Sequence, residues 1–423
     1  MNKQILRLTI PSIVANITTP LLGMIDTAIT GHMGGAGYMA AVAVGGVMFN
    51  MLYWLFGFLR AGTSGLTAQA CGAKDDKLYA LTLYRSLIIA VGIGLLMIIL
   101  QWPLSRLLIE IVGPDQMVEP LARQYFDILI WGAPATLSTF ALTGWYLGMQ
   151  NSKINLWTSL TINVVNIAAS LILVIGLHWK VEGVAVGTLI AQWTGLITAL
   201  IFLIKYKLPT VRFREIFRWN EIIRFFKINT LIMARTVLLI SVTVWFTRVG
   251  AMQGPVMLAV NTILMQLFML FSYVMDGFAY AGEALIGKFS GSKEQNLHSR
   301  CVTILFRWGW GLSLLFTCIY LLTGQGFLNI MSDDQQVIHA ASEYWWWAAT
   351  IPLAGFAGFI WDGIYIGSTD VSRLFWAMLI ATVIFFTTYF IAFPIIGNHG
   401  IWLAFILYLT TRGVVQWILY SHK

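Results

Sequence analysis

Charge is what this chain has least of. Only 10% of its 423 residues are charged, against about a quarter in an average soluble domain, and the mean hydropathy is +0.78. A water-soluble globular domain is therefore excluded. Cysteine is nearly absent too: Cys71, Cys301 and Cys318 stand at no paired spacing. That excludes a disulfide framework and a zinc site, and it leaves the three as small helix-packing residues. Ten prolines against 38 glycines suit close helix packing rather than a disordered chain. No His-Glu-x-x-His, Gly-x-Ser-x-Gly or Gly-x-x-x-x-Gly-Lys-Ser/Thr pattern occurs, so neither metal catalysis nor nucleotide hydrolysis has a site. The chain reads as a non-enzyme without a cofactor, and its energy source is expected to be an ion gradient. The N-terminal stretch runs on past Pro11 and Pro20 with no short apolar core and cleavage site. The first hydrophobic segment is therefore expected to stay in the protein.

What is there is hydrophobic length. Residues of the apolar classes make up 58% of the chain, in runs that match the roughly 20 residues needed to cross a ~30 Å hydrocarbon core. Lipid cannot satisfy an open backbone, so each run is a helix. Twelve spans are expected, near 5–30, 38–70, 79–101, 119–148, 154–176, 183–205, 226–249, 256–289, 297–322, 337–366, 371–394 and 400–420. The net charge of +8 sits mostly in short connections between spans, which favours a membrane reading over nucleic acid. Lys3, Arg7, Lys74, Lys77, Lys153, Lys288, Lys293, Arg373 and Lys423 fall on one side, together with the basic stretch 206–224. The opposite side holds little beyond Arg106, Lys180 and Arg248, and it carries Asp115, Asp333 and Asp334. The termini and linker are therefore expected on the cytoplasmic side.

The halves repeat each other. Gly72-Ala73-Lys74-Asp75 and Gly291-Ser292-Lys293-Glu294 lie 219 residues apart, as do Leu66 and Leu285, Gly31 and Gly250, and Tyr146-Leu147-Gly148 and Tyr365-Ile366-Gly367. Six spans per half make the repeats parallel, related by an axis along the membrane normal. The expected division is an N-terminal lobe over 1–205, a linker over 206–224 and a C-terminal lobe over 225–423, with a cavity between them.

An ionisable group inside a span costs a few kcal/mol and is a functional hypothesis by default. Asp26 lies late in the first span, where Pro11 and Pro20 remove backbone donors and let the helix bend. A buried carboxyl there could exchange a proton or cation; a hydrated position near the outer surface is the alternative. In the fifth span Asn163, Asn166 and Ser170 share one helical face, either as interhelical glue or as part of an ion site with Asp26. Arg235 stands alone in the seventh span and demands a carboxylate, for which Asp276 is nearest in span order. Glu283 follows Asp276 by seven on the same face, and Asp362 is a further polar candidate. Structural pairing and a proton relay both fit this second group. The 18 Trp, 26 Phe, 15 Tyr and 17 Met suit a cavity for varied apolar cations, although most will face lipid or neighbouring helices. Trp345-Trp346-Trp347 reads as an interfacial belt.

Several motifs together resemble the multidrug and toxic compound extrusion (MATE) family, in its DinF-like branch. They are Leu21-Leu22-Gly23-Met24-Ile25-Asp26-Thr27-Ala28, Gly31-His32-Met33-Gly34, the stretch Phe58 to Ala70, Arg235-Thr236, Asp276-Gly277-Phe278-Ala279 and Asp362 to Gly367. The resemblance implies an all-α, V-shaped membrane bundle of twelve helices in two six-helix halves. It also implies export of cationic or amphipathic compounds in exchange for protons or sodium, in a bacterial inner membrane. By position, Asp26 corresponds to the essential first-helix carboxylate, Pro11 to the proline linked to bending, Asn166 to the fifth-helix site asparagine and Thr188 to a sixth-helix hydroxyl. Ser170 stands where the family commonly has aspartate, which weakens a sodium site at Asp26 and Asn166 and favours proton coupling. No other metal site is expected. A lipid-linked precursor flippase of the same superfamily is the nearest alternative and a membrane enzyme acting on lipids a distant one. A monomer embedded in membrane lipid is expected, because one chain already holds both halves.

Overall fold

The computed structural model describes residues 1–31 and 36–422, apart from the side chains of Thr19, Leu21, Leu22, Met24, Thr27, Ala28, Ala36, Arg224 and Gln325. The motif residues His32, Met33 and Gly34, together with Lys423, lie outside the described residues. Every regular element among the described residues is helical, as expected for a backbone that must satisfy its own donors and acceptors in lipid.

The first half runs α1 (Asn2–Gly31), α2 (Ala36–Leu55), α3 (Phe58–Gly72), α4 (Asp76–Ile99), α5 (Gln101–Val112), α6 (Glu119–Leu129), α7 (Ala133–Gly148), α8 (Ser152–Leu171) and α9 (Val181–Leu203). The remainder runs α10 (Phe213–Ile216), α11 (Trp219–Met252), α12 (Pro255–Gly291), α13 (Gln295–Met331), α14 (Gln335–Gly367), α15 (Val371–Ile396) and α16 (Asn398–Ser421). Eleven helical runs among the described residues are long and apolar enough to cross a membrane. The 30-residue α1 supplies the remaining span. Two compact units form: Ile10–Asn229, and Met1–Thr9 with Thr230–Lys423.

Three spans are broken in ways hydropathy does not register. The second changes at Phe56 and Gly57 between α2 and α3. The fourth tightens into a 3₁₀ turn over Ile130–Gly132 between α6 and α7, where Pro134 has no N–H to give. The fifth widens into a π-helical turn, Ile172–Gly176, at the end of α8, a distortion often found beside functional groups. Two helices fall where connections were expected. The amphipathic α5 buries Leu108 and Ile109 and lays Arg106 over the Trp102 ring at 3.7 Å. α10 is a single turn within the linker, and α11 begins at Trp219, inside the expected linker. α13 reaches Met331, beyond the expected end at 322, because a helix leaving the membrane no longer needs apolar residues.

The repeat is present in atomic detail. Lys74 and Lys293 take the left-handed conformation (φ 55° and 59°), as do Gln150 and Thr369 (φ 64° and 57°), each pair 219 residues apart. Each follows a helix end that the next N–H closes: Asp75 N to Ala70 O and Glu294 N to Phe289 O at 3.0 Å, Asn151 N to Tyr146 O and Asp370 N to Tyr365 O at 2.9 Å. These are Schellman caps. In both units glycines allow the same close helix crossing. A Cβ on Gly148 of α7 would meet the Ser64 carbonyl of α3 at 2.7 Å, and one on Gly367 of α14 would meet the Glu283 carbonyl of α12 at 2.5 Å.

Each unit has its own aromatic core. In the first, Trp145 donates Nε1 to Tyr79 O at 3.0 Å and Tyr146 donates its hydroxyl to Ala199 O at 2.6 Å, which satisfies both polar tips within apolar packing. In the second, Trp345 is buried and donates to Tyr320 O at 2.9 Å, while Trp347 donates to His399 Nδ1 at 3.0 Å. Trp346 alone of the triplet is largely exposed, so the expected interfacial belt is one residue wide. Of the cysteines, Cys301 is buried and Cys318 exposed, which removes Cys318 from the packing role.

Candidate functional site

In the first unit, polar groups from α1, α2, α6, α7, α8 and α9 meet within otherwise apolar spans. Asn166 of α8 is fully buried and donates Nδ2 to Thr188 Oγ1 of α9 at 2.9 Å. Thr188 gives its single proton to Val184 O at 2.9 Å. Its hydroxyl can therefore only accept from other neighbours, and Tyr125 of α6 lies beside it. Tyr125 in turn lies within electrostatic reach of Asp26. The Tyr125 ring has its place because Gly45 of α2 lacks the Cβ that would overlap it.

Asp26 is half-buried, and its Oδ1 is shielded from solvent with no hydrogen-bond partner among the described residues. The same holds for Asn166 Oδ1 and Ser170 Oγ, whereas Tyr53 of α2, Thr136 of α7 and Gln192 of α9 lie within bonding reach of one another. Buried polar atoms are normally satisfied, so the open Asp26 oxygen is the exception that singles this carboxylate out. Chemically a carboxylate in a span can hold one positive charge, a proton or a cation.

The stripe read on α8 serves two neighbours. Asn163 donates Nδ2 to Thr18 O of α1 at 3.3 Å, and Thr18 Oγ1 lies 3.2 Å from Ser159 Oγ. That seam holds α8 against α1 beside Pro20, which with Pro11 lies inside the helix. Asn166 and Ser170 face α9 instead, where a Cβ on Gly187 would meet Ser170 Oγ at 2.5 Å.

The second unit holds a different arrangement. Asp362 of α14 accepts from Arg235 of α11 and Arg412 of α16 at Oδ2, and from Gln416 Nε2 at Oδ1 at 2.8 Å. This corrects the expected partner of Arg235. The nearest carboxylate in span order, Asp276, acts on both guanidiniums from further off, more weakly than Asp362, because span order does not determine which helices pack together. Arg412 lies along α14, its centre 5.2 Å from the Phe359 ring, with Gly358 leaving room for its stem. Glu283 is buried on α12 beside Gly367. With three donors on one carboxylate, the arrangement is an ion-pair junction tying α11, α14 and α16.

Tyr125, Tyr53 and Gln192 were hidden among many aromatic and polar positions. Gln416 had a usable signal: it follows Arg412 by four residues and so shares its helical face.

The MatE family model matches residues 11–172 and 230–391, two segments separated by the same 219 residues as the loop motifs. The chain is 35% identical, over 98% of its length and 90% of the relative's, to DNA damage-inducible protein F of Escherichia coli K12. It is 23% identical to the probable multidrug resistance protein NorM of Thermotoga maritima, over 80% of this chain and 74% of that one. A crystal structure of MATE in the bent conformation is similar in fold, with a TM-score of 0.91 at 17% identity over 100% of this chain and 95% of that one. The chain is thus a multi-pass membrane protein of the multidrug and toxic compound extrusion (MATE) family, in its DinF-like branch.

Proposed function

We propose that the protein is a proton-coupled antiporter that exports small organic cations or amphipathic drugs by alternating access. One observation carries the reading: Asp26, a carboxylate in a membrane span, keeps a shielded oxygen without a partner among the described residues, within electrostatic reach of Tyr125, which adjoins the Asn166–Thr188 hydrogen bond. As an anion, Asp26 holds an organic cation. A proton arriving from the outer side neutralises it and releases the cation, and loss of that proton to the inner side restores the grip. One positive charge moves each way. Pro11 and Pro20 give α1 a means of bending between these states, and a MATE structure in a bent conformation supports that use.

Ser170 supports protons over sodium. A hard cation favours several oxygen ligands with carboxylates among them, and this cluster offers one carboxylate with an amide and hydroxyls. The Lys- and Arg-rich side, with both termini and the linker, is the cytoplasmic side of a bacterial inner membrane under this reading. The working unit is a monomer.

The test uses proteoliposomes loaded with a fluorescent cationic dye. Efflux should follow an imposed pH difference at equal sodium and collapse in Asp26→Asn while the variant still reaches the membrane. Unchanged efflux in Asp26→Asn removes the carboxylate from coupling. Transport driven by sodium alone overturns the proton assignment.

A further inference from the structure

The linker between the halves plays no part in the transport chemistry above, yet it is held as carefully as a binding element. Arg85 of α4, only 6% exposed, donates Nε to Ile216 O and Nη2 to Glu215 O, both at 2.9 Å. Its Nη1 lies 3.6 Å from Glu221 Oε2. Lys77 donates to Glu215 Oε1 at 2.7 Å. A buried guanidinium is costly to place, and here it fixes the backbone of the single turn α10. Both acidic side chains of the linker are turned toward cations of α4 by the same contacts.

Three consequences follow for the outer face. Lys205, Lys207, Arg212, Arg214 and Arg218 are all exposed, so the presented charge is positive. Phe213 and Phe217 are one turn apart with ring centroids 4.9 Å apart, and they are 73% and 47% exposed, followed by Trp219 at 72%. Aromatic rings beside basic side chains, at the point where α11 enters the membrane, match the boundary between headgroups and acyl chains. A flexible tether would need neither the buried arginine nor the paired rings.

We infer that the linker, over residues 205–219, is a docking surface for anionic phospholipid. Arg214 and Arg218 contact headgroup phosphates, and Phe213, Phe217 and Trp219 seat at the acyl boundary. Charge complementarity selects this occupant: the face joins exposed cations to exposed apolar rings, whereas a soluble acidic partner would need only the cations. The inference is independent of the coupling ion and of the role of Asp26.

Purified full-length protein, stripped of lipid in detergent, is titrated with phosphatidylglycerol and with phosphatidylcholine, and bound lipid is read by native mass spectrometry. The wild type should prefer phosphatidylglycerol. Each basic residue near an anionic surface contributes about fivefold, so Arg214→Gln/Arg218→Gln should lower phosphatidylglycerol affinity by about tenfold or more and leave phosphatidylcholine unchanged. Arg214→Lys/Arg218→Lys should retain the preference, and Arg214→Gln alone, with about fivefold weaker phosphatidylglycerol binding expected, serves as the test should the double glutamine variant elute as aggregate. Lys74→Gln/Lys293→Gln removes the same charge from exposed positions outside the linker and should leave the preference intact. The inference fails if this control lowers the preference as much as the linker variant, or if the linker variant binds phosphatidylglycerol like the wild type. It also fails if millimolar inorganic phosphate displaces the lipid, which would make the face a free-phosphate site.

Discussion

Asp362→Asn should destabilise the second unit more than any other single change in its ion-pair junction. The carboxylate is buried and accepts from Arg235, Arg412 and Gln416. Asparagine fills nearly the same space, removes the charge, and offers an NH₂ where acceptors are needed. Two guanidiniums would then stay in the span with only the more distant Asp276 acting on both. Hydrogen bonds to charged groups contribute about 1.5–3 kcal/mol each, but such values do not add within one network. The better guide is the cost of removing one partner of a buried pair, about 3–5 kcal/mol. That is a rise of roughly two to three and a half decades in the unfolding constant, at about 1.4 kcal/mol per decade. Arg412→Met should cost less, because it leaves Arg235 and Asp362 paired one to one. Denaturant unfolding in detergent, followed by near-ultraviolet circular dichroism, measures all three states including Asp362→Asn/Arg412→Met. Coupling of about 0.5–3 kcal/mol is expected between two such neighbours. The reasoning is refuted if Asp362→Asn lies within about 0.5 kcal/mol of the wild type, or if the double variant is simply additive.

The glycine crossings make a second test. Gly148→Ala would place a Cβ 2.6 Å from Thr67 Cβ and 2.7 Å from Ser64 O, and Gly367→Ala one 2.5 Å from Glu283 O. Overpacking of this kind costs about 1–3 kcal/mol, whereas Gly92 and Gly311 have nothing within 4 Å. Their alanine variants should be neutral or more stable in the same unfolding assay, and equal losses at all four positions would contradict the crossing geometry. Asn261 and Asn398 exchange two amide hydrogen bonds at 2.9 and 3.0 Å, and Trp402 donates to Asn261 at 3.0 Å. Asn261→Leu should therefore cost about 1–3 kcal/mol for each group left unsatisfied, and a thermal shift assay showing no loss would argue against the network.

Hydrophobic length and the loop motifs made the helices and the internal repeat legible before any coordinates. The left-handed caps at Lys74 and Lys293 came only with the backbone angles, though the shared loop motif is their cause, since a helix ends the same way wherever the same local sequence ends it. The site was legible only in part. Asp26 stood out because a carboxylate in an apolar run is expensive, and Asn166 because it broke the same pattern. Tyr125 and Gln192 did not stand out, since a tyrosine or glutamine in a span carries no charge penalty to betray it. Pairing was the least legible feature. Arg235 announced that it needed a carboxylate, but choosing Asp362 over Asp276 required knowing which helices touch.

By itself the sequence determined the solvent, the helical state of the backbone, the twofold repeat and the expense of each embedded charge. Those follow from local composition and from the rule that lipid leaves no backbone group unsatisfied. Only the tertiary structure decided partners. It put Asn163 on α1 and Asn166 on α9, gathered Arg235, Arg412 and Gln416 onto Asp362, and bound the linker to Arg85. The physical reason is that a helix face is fixed by a period of 3.6 residues, while the helix it faces is fixed by packing across the bundle, where separation along the chain counts for nothing.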